Sequence, residues 1–150
     1  MVQLLRQIFV VLPLILAWQI CTIKLADTPP LCDNFLDKWG KNPPNLKFVG
    51  CGYEKNPQSD RSIAKYTIKG IDAAKIELFL RENFQMAPLK FVCCVWQPTA
   101  SIGSDQRYGT YRDRSGYYYQ VIMSSGETLE RDWHQIPEFH IYVVKFMRDI

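Results

Sequence analysis

Leu46-Lys47-Phe48-Val49-Gly50-Cys51-Gly52-Tyr53-Glu54, a polar break over Lys55-Asn56-Pro57-Gln58-Ser59-Asp60, then Ser62-Ile63-Ala64-Lys65-Tyr66-Thr67-Ile68-Lys69, is followed directly by a helical pattern opening at Asp72. The two β-branched and aromatic runs around a Pro-bearing turn read as a hairpin. Gly50 and Gly52 in the first run mark a bulge or a close backbone approach. Beyond Asp72, expected as the N-cap, Ile76, Phe79, Leu80 and Phe84 recur on one helical face, while Lys75, Glu77, Arg81 and Glu82 fall where solvent can reach them. Pro88 stops that helix. A hairpin feeding one amphipathic helix needs further strands to cover the helix face, and the rest of the chain supplies them.

Leu89 to Trp96 reads as one strand too apolar for an edge. Gly109 to Ser124 reads as a hairpin turning at Arg112-Asp113-Arg114-Ser115-Gly116 and returning over Tyr117 to Met123. Glu127 to Gln135 is a short helical or irregular crossing closed by Pro137, and Phe139 to Phe146 is a final strand with imperfect alternation. Upstream, residues 31–39 form a short amphipathic helix ended by Gly40 and Asn42-Pro43-Pro44-Asn45. The predicted class is α+β: an antiparallel sheet of about five or six strands with one main helix and a short N-terminal helix packed on one face.

Residues 1–26 read as a signal peptide or N-terminal anchor, and 27–150 as a single domain. An Arg-bearing start leads into Ile8-Phe9-Val10-Val11-Leu12-Pro13-Leu14-Ile15-Leu16-Ala17-Trp18. That run is shorter than the ~20 residues a bilayer crossing requires. Cleavage and release are therefore expected over retention as a tether, although neither Ala17 nor Ala26 completes a small-x-small cleavage site. Ile20, before Cys21, argues against lipidation. The expected location is periplasmic or secreted, with membrane contact only through a retained leader.

The chain has 18 basic and 15 acidic residues, but Arg6 and Lys24 belong to the leader and every acid follows it. The mature part is close to neutral, which gives no bulk attraction for nucleic acid. Eight Tyr, eight Phe and four Trp in 150 residues indicate a firmly folded domain. With Cys21 in the leader, Cys32, Cys51, Cys93 and Cys94 remain, and four can pair completely. Leu46-Lys47-Phe48-Val49 and Leu89-Lys90-Phe91-Val92 share one pattern. Strand alternation then predicts Cys51 bonded to Cys94, while helical spacing brings Cys32 to Cys93. Neither Cys-x-x-Cys nor a nearby His supplies zinc spacing, so no metal and no cofactor is expected.

Tyr66-Thr67-Ile68-Lys69-Gly70, Ile76-Glu77-x-Phe79-Leu80, Met86 and Leu89-x-Phe91-x-Cys93-Cys94-x-Trp96 are followed by two later motifs. These are Tyr118-x-Gln120-x-Ile122-Met123-Ser124-Ser125-Gly126-Glu127-Thr128 and Trp133-x-x-Ile136-Pro137-x-Phe139. Together these segments resemble a small family of exported bacterial proteins described only as a domain of unknown function. The resemblance spans roughly residues 32 to 146, with Val95 and Gln97 standing where that family has Gly and Glu. It implies an exported, cysteine-bearing domain and no catalytic residue.

Two function classes compete. Arg107, Tyr108, Tyr111, Arg112, Arg114, Tyr117 and Tyr119 interleave bases and aromatics, the residue types that anchor protein interfaces. The same interleaving suits single-stranded nucleic acid, but the neutral domain and export signal favour a protein partner in the envelope, as for an inhibitor or immunity factor. The rival is a hydrolase or nuclease in which His134, His140 and Lys145 act as acid, base and charge stabiliser. No nucleophile elbow or phosphate-binding glycine loop accompanies them. Trp96, Met123 and Trp133 are expected in the core.

Overall fold

A computed structural model describes residues 32–55 and 60–147, so the leader and most of the predicted turn over 55–60 lie outside the described residues. The element order is α1 (Phe35–Lys38), β1 (Lys47–Glu54), β2 (Arg61–Lys69), α2 (Gly70–Phe84), β3 (Leu89–Val92), β4 (Val95–Pro98), β5 (Gly109–Arg112), β6 (Tyr118–Ser124), a 3-10 turn (Trp133–Gln135) and β7 (Glu138–Phe146). Five strands form one antiparallel sheet in the order β1-β2-β7-β6-β5, and β3 with β4 makes a separate two-stranded ribbon. The class is α+β. No helix among the described residues is long and apolar enough to cross a membrane.

The last strand of the chain is the central one. β7 pairs with β2 from Arg61↔Phe146 to Lys69↔Glu138 and with β6 from Tyr119↔Lys145 to Ser124↔His140. Its imperfect alternation follows from that position: Phe139, Ile141 and Val143 are buried under the helices, and Val144 is buried on the opposite face by the flanking strands. The expected bulge in β1 is present where the register shifts between Phe48 and Gly50.

One side of the sheet carries the core. Ala73, Ile76, Leu80 and Phe84 of α2 pack with Ala64, Tyr66, Ile68, Tyr119, Val121, Met123 and the inner residues of β7. Glu77, expected in solvent, is buried, and its Oε1 accepts the Leu89 backbone N–H at 3.1 Å, fixing the exit from α2. α2 also begins earlier than expected, at Gly70 with Lys69 as N-cap and no capping side chain. Asp72 stands instead in the first turn, where its Oδ2 accepts from Asn45 Nδ2. The early start requires glycine, because a Cβ at position 70 would overlap the backbone carbonyls of Trp133 and Ile136.

The predicted Leu89–Trp96 strand is broken at its middle. Cys93 and Cys94 form a two-residue turn, Val92 pairs with Val95, and Cys93 takes φ 57°. The predicted first helix shrinks to one turn, with Asn34 Oδ1 accepting from the Asp37 N–H. A single turn does not hold itself. It is held by burial of Phe35 and Leu36 and by Tyr66, whose hydroxyl accepts the Leu36 N–H at 3.1 Å and donates to Asn34 Oδ1 at 2.9 Å. Burial pushes the Tyr66 phenol from its ordinary 10 up to about 12. A raised pKa stabilises the fold fully below pH 10 and loses that contribution as pH rises through about 12. Tyr66→Phe strands the Leu36 N–H and is expected to cost about 1–3 kcal/mol at neutral pH. Urea titrations at pH 7 and pH 11 check this: the deficit of the variant should shrink at the higher pH.

Candidate functional site

The β5–β6 hairpin forms one edge of the main sheet and closes at the Arg112↔Tyr118 pair. Its turn is tied together by one carboxylate. Asp113 Oδ1 accepts the N–H groups of Ser115 at 2.9 Å and Tyr117 at 3.1 Å, and Oδ2 accepts the Tyr119 hydroxyl at 2.8 Å. The Asp113 N–H donates to Tyr117 O, the Gly116 N–H returns to Asp113 O, and Gly116 takes the left-handed conformation the turn needs, with φ 85°. Arg112 Nη1 donates to Gly116 O at 3.2 Å. The loop thus presents its side chains on a stiff frame.

Strand alternation divides the seven predicted binding residues. Tyr111 and Tyr119 pair with each other and face the helices. The Tyr111 ring lies 4.2 Å from Trp39, and Tyr119, 3% exposed, packs edge-on against Phe35 and Trp39. Burial and the bond to Asp113 push the Tyr119 phenol upward. Tyr119 is a core residue, and Tyr111 is half-buried against the core. Arg107, Arg112, Arg114 and Tyr117 are exposed, and Tyr108 is half-buried.

Tyr118, which sequence reasoning passed over, faces outward with Arg112, and its ring is tilted against Phe146 at 5.8 Å. It sits between two hollows. One, about 550 Å³, is bounded by Asp105, Arg107, Tyr108, Thr110 and Gln120; the other, about 310 Å³, by Arg112, Ser115, Tyr117 and Phe146. The available signal was periodic: Tyr119, Val121 and Met123 form the apolar series of β6, which leaves Tyr118 and Gln120 outside.

The acid–base trio is not brought together. His134 is exposed on the 3-10 turn, which packs against α2, and its Nδ1 is 3.2 Å from Asp132 Oδ1. His140 pairs with Thr67 and Ser124 on the face away from the helices, its Nδ1 buried without a hydrogen bond and 3.8 Å from Glu138 Oε1. Lys145 returns to the helix side, with Nζ 3.7 Å from the Tyr117 ring centre. Desolvation lowers its pKa. Among the described residues no three of His, Cys, Asp and Glu cluster where a metal ion could be held.

Cysteine pairing also differs from the sequence reading. The disulfide is Cys32–Cys51, not Cys51–Cys94 with Cys32–Cys93. Cys51 lies beside Ala64 on the helix face of β1, where the chain entering α1 passes. β3 belongs to a different sheet, so its alternation carries no information about distance from β1. Cys93 and Cys94 are free thiols.

The ribbon that carries them is clasped by the segment after β6. Ser125 N–H donates to Trp96 O at 3.1 Å, Trp96 N–H to Ser125 Oγ at 3.0 Å, and Thr128 N–H to Cys94 O at 2.7 Å. Trp96 meets Trp133 edge-on at 5.3 Å, and Trp133 meets Phe139 at the same distance. Residues 23–96 match a family model described as a domain of unknown function (DUF4952). The matched span runs from before the disulfide to Trp96 and takes in β1, β2, α2 and β3. The motifs over 118–128 and 133–139 lie beyond it in sequence but meet its end, through Ser125 and Trp133 on Trp96 and Thr128 on Cys94. No curated protein and no solved structure matches the chain.

Proposed function

We propose that this chain is an exported envelope protein without enzymatic activity that binds another protein, in the manner of an inhibitor or immunity factor, through the outward side of the β5–β6 hairpin. The observation that carries this reading is the preorganised turn, which displays Arg112 and Arg114 beside Tyr118, with the exposed Tyr117 ring over Lys145 at the rim, at little further entropic cost. Arg112 and Arg114 favour an acidic partner surface. The Cys32–Cys51 bond supports an oxidising compartment, and thereby the periplasmic or secreted location.

The test is capture of partners from envelope extract by the wild-type chain and by an Arg112→Ala/Arg114→Ala/Tyr117→Ala variant, with folding of both verified by circular dichroism. A partner held by the wild type should be lost by the variant, and its retention should weaken with salt. Equal recovery by both proteins would remove the hairpin from consideration. Tyr119 is unsuitable for this purpose, since truncating it opens the core.

A further inference from the structure

We propose that Cys93 and Cys94 are a site of oxidation, closing on each other to a vicinal disulfide by exchange with a small-molecule or protein disulfide. With Cys32 and Cys51 bonded to each other, neither thiol has a distant cysteine partner among the described residues. Their sulfurs are in hydrogen-bonding contact at 3.0 Å, about 1 Å beyond bonding distance. A two-residue hairpin turn ordinarily takes Gly, Asn or Asp where φ is positive. Here both turn positions are cysteine, and Cys93 holds φ 57°. The frame beneath them is anchored by the Val92↔Val95 pair, the Thr128 N–H to Cys94 O bond and the Val95↔Glu127 bridge, so closure falls to the side chains and the turn itself.

Access and reactivity order the two steps. Cys93 is the more exposed. The contact it shares with Cys93 raises the Cys94 thiol, so Cys94 acts second, as the resolving thiol. Cys93 Sγ attacks one sulfur of the oxidant disulfide, whose S–S bond breaks to release one thiol. Cys94 then gives its proton to solvent, its Sγ attacks Cys93 Sγ, and the second thiol leaves. Two protein thiols are oxidised to one disulfide while the oxidant disulfide is reduced to two thiols.

This inference is independent of the partner reading. The full chain is equilibrated with oxidised and reduced glutathione at several ratios, quenched in acid, alkylated with N-ethylmaleimide and digested with trypsin. The peptide from Phe91 to Arg107 should pass from two adducts to none and become lighter by two hydrogen atoms, with no cross-link and no retained glutathione. Cys94→Ser should instead trap glutathione on Cys93. Two adducts persisting in oxidised glutathione, a cross-link to Cys32, Cys51 or a second copy, or an unmodified Cys93 in the Cys94→Ser protein would each overturn the assignment.

Discussion

Phe84→Ala is expected to lower the unfolding free energy by about 3–5 kcal/mol, the range for emptying a fully buried aromatic site. Phe84 ends α2 with no exposed surface. Its ring lies 6.0 Å from Trp39, 6.1 Å from Phe79 and 5.9 Å from Tyr111, so it joins the chain after α1, the main helix and β5. The neighbours cannot collapse into the space. On one side stands Gly109, whose missing side chain already lets β5 approach so closely that a Cβ there would sit 2.9 Å from Phe84 Cβ. Urea unfolding followed by tryptophan fluorescence should show a lower midpoint at unchanged slope. Phe84→Leu should cost clearly less. A loss under about 1 kcal/mol for the alanine variant would show that the junction is not packed as described. Because Tyr111 leans on this ring, partner capture should fall for Phe84→Ala even though residue 84 reaches no surface.

Where one periodicity dominated, the fold was legible. The i, i+3, i+4 series of α2 and the two hairpins around it depend on local rules, and the structure places them within a few residues of the expected bounds. The failures share a cause, which is that distance between elements is not written in alternation. Leu89 to Trp96 looked continuous because Cys93-Cys94 lacks the Gly, Pro or Asn that usually announces a turn. As one whole strand it would put its cysteines on opposite faces of a sheet they do not join. Glu77 looked solvated because helical periodicity cannot see an incoming backbone N–H that needs an acceptor. In the hairpin, composition alone groups Tyr108, Tyr111, Tyr117 and Tyr119 together, although burial separates them. Tyr111 and Tyr119 are the inward members, and only continuing the series through Val121 and Met123 reveals it.

Breaking the Cys32–Cys51 bond is expected to cost about 3 kcal/mol, whereas removing either thiol at Cys93 or Cys94 should cost little. The bond closes a loop with a sequence separation of 19, and in the chain-entropy account a loop of that size contributes about 3 kcal/mol by restricting the unfolded state. On the folded side it secures the entry to α1, whose four residues are too few to persist alone. Phe35 and Leu36 and the Tyr66 hydroxyl still hold that turn after reduction, so the chain should remain folded at a thermal midpoint lowered by about 10 °C. Cys51→Ser should reproduce the shift, and adding reductant to that variant should move it little further. Cys93→Ser should leave the midpoint within a few degrees of wild type, since an exposed turn thiol contributes neither burial nor a long loop. The opposite ranking, with Cys93→Ser or Cys94→Ser more damaging than Cys51→Ser, would mean that these thiols tie the ribbon to the main sheet. Pairing between β1 and β3 would then have to replace the connectivity described above.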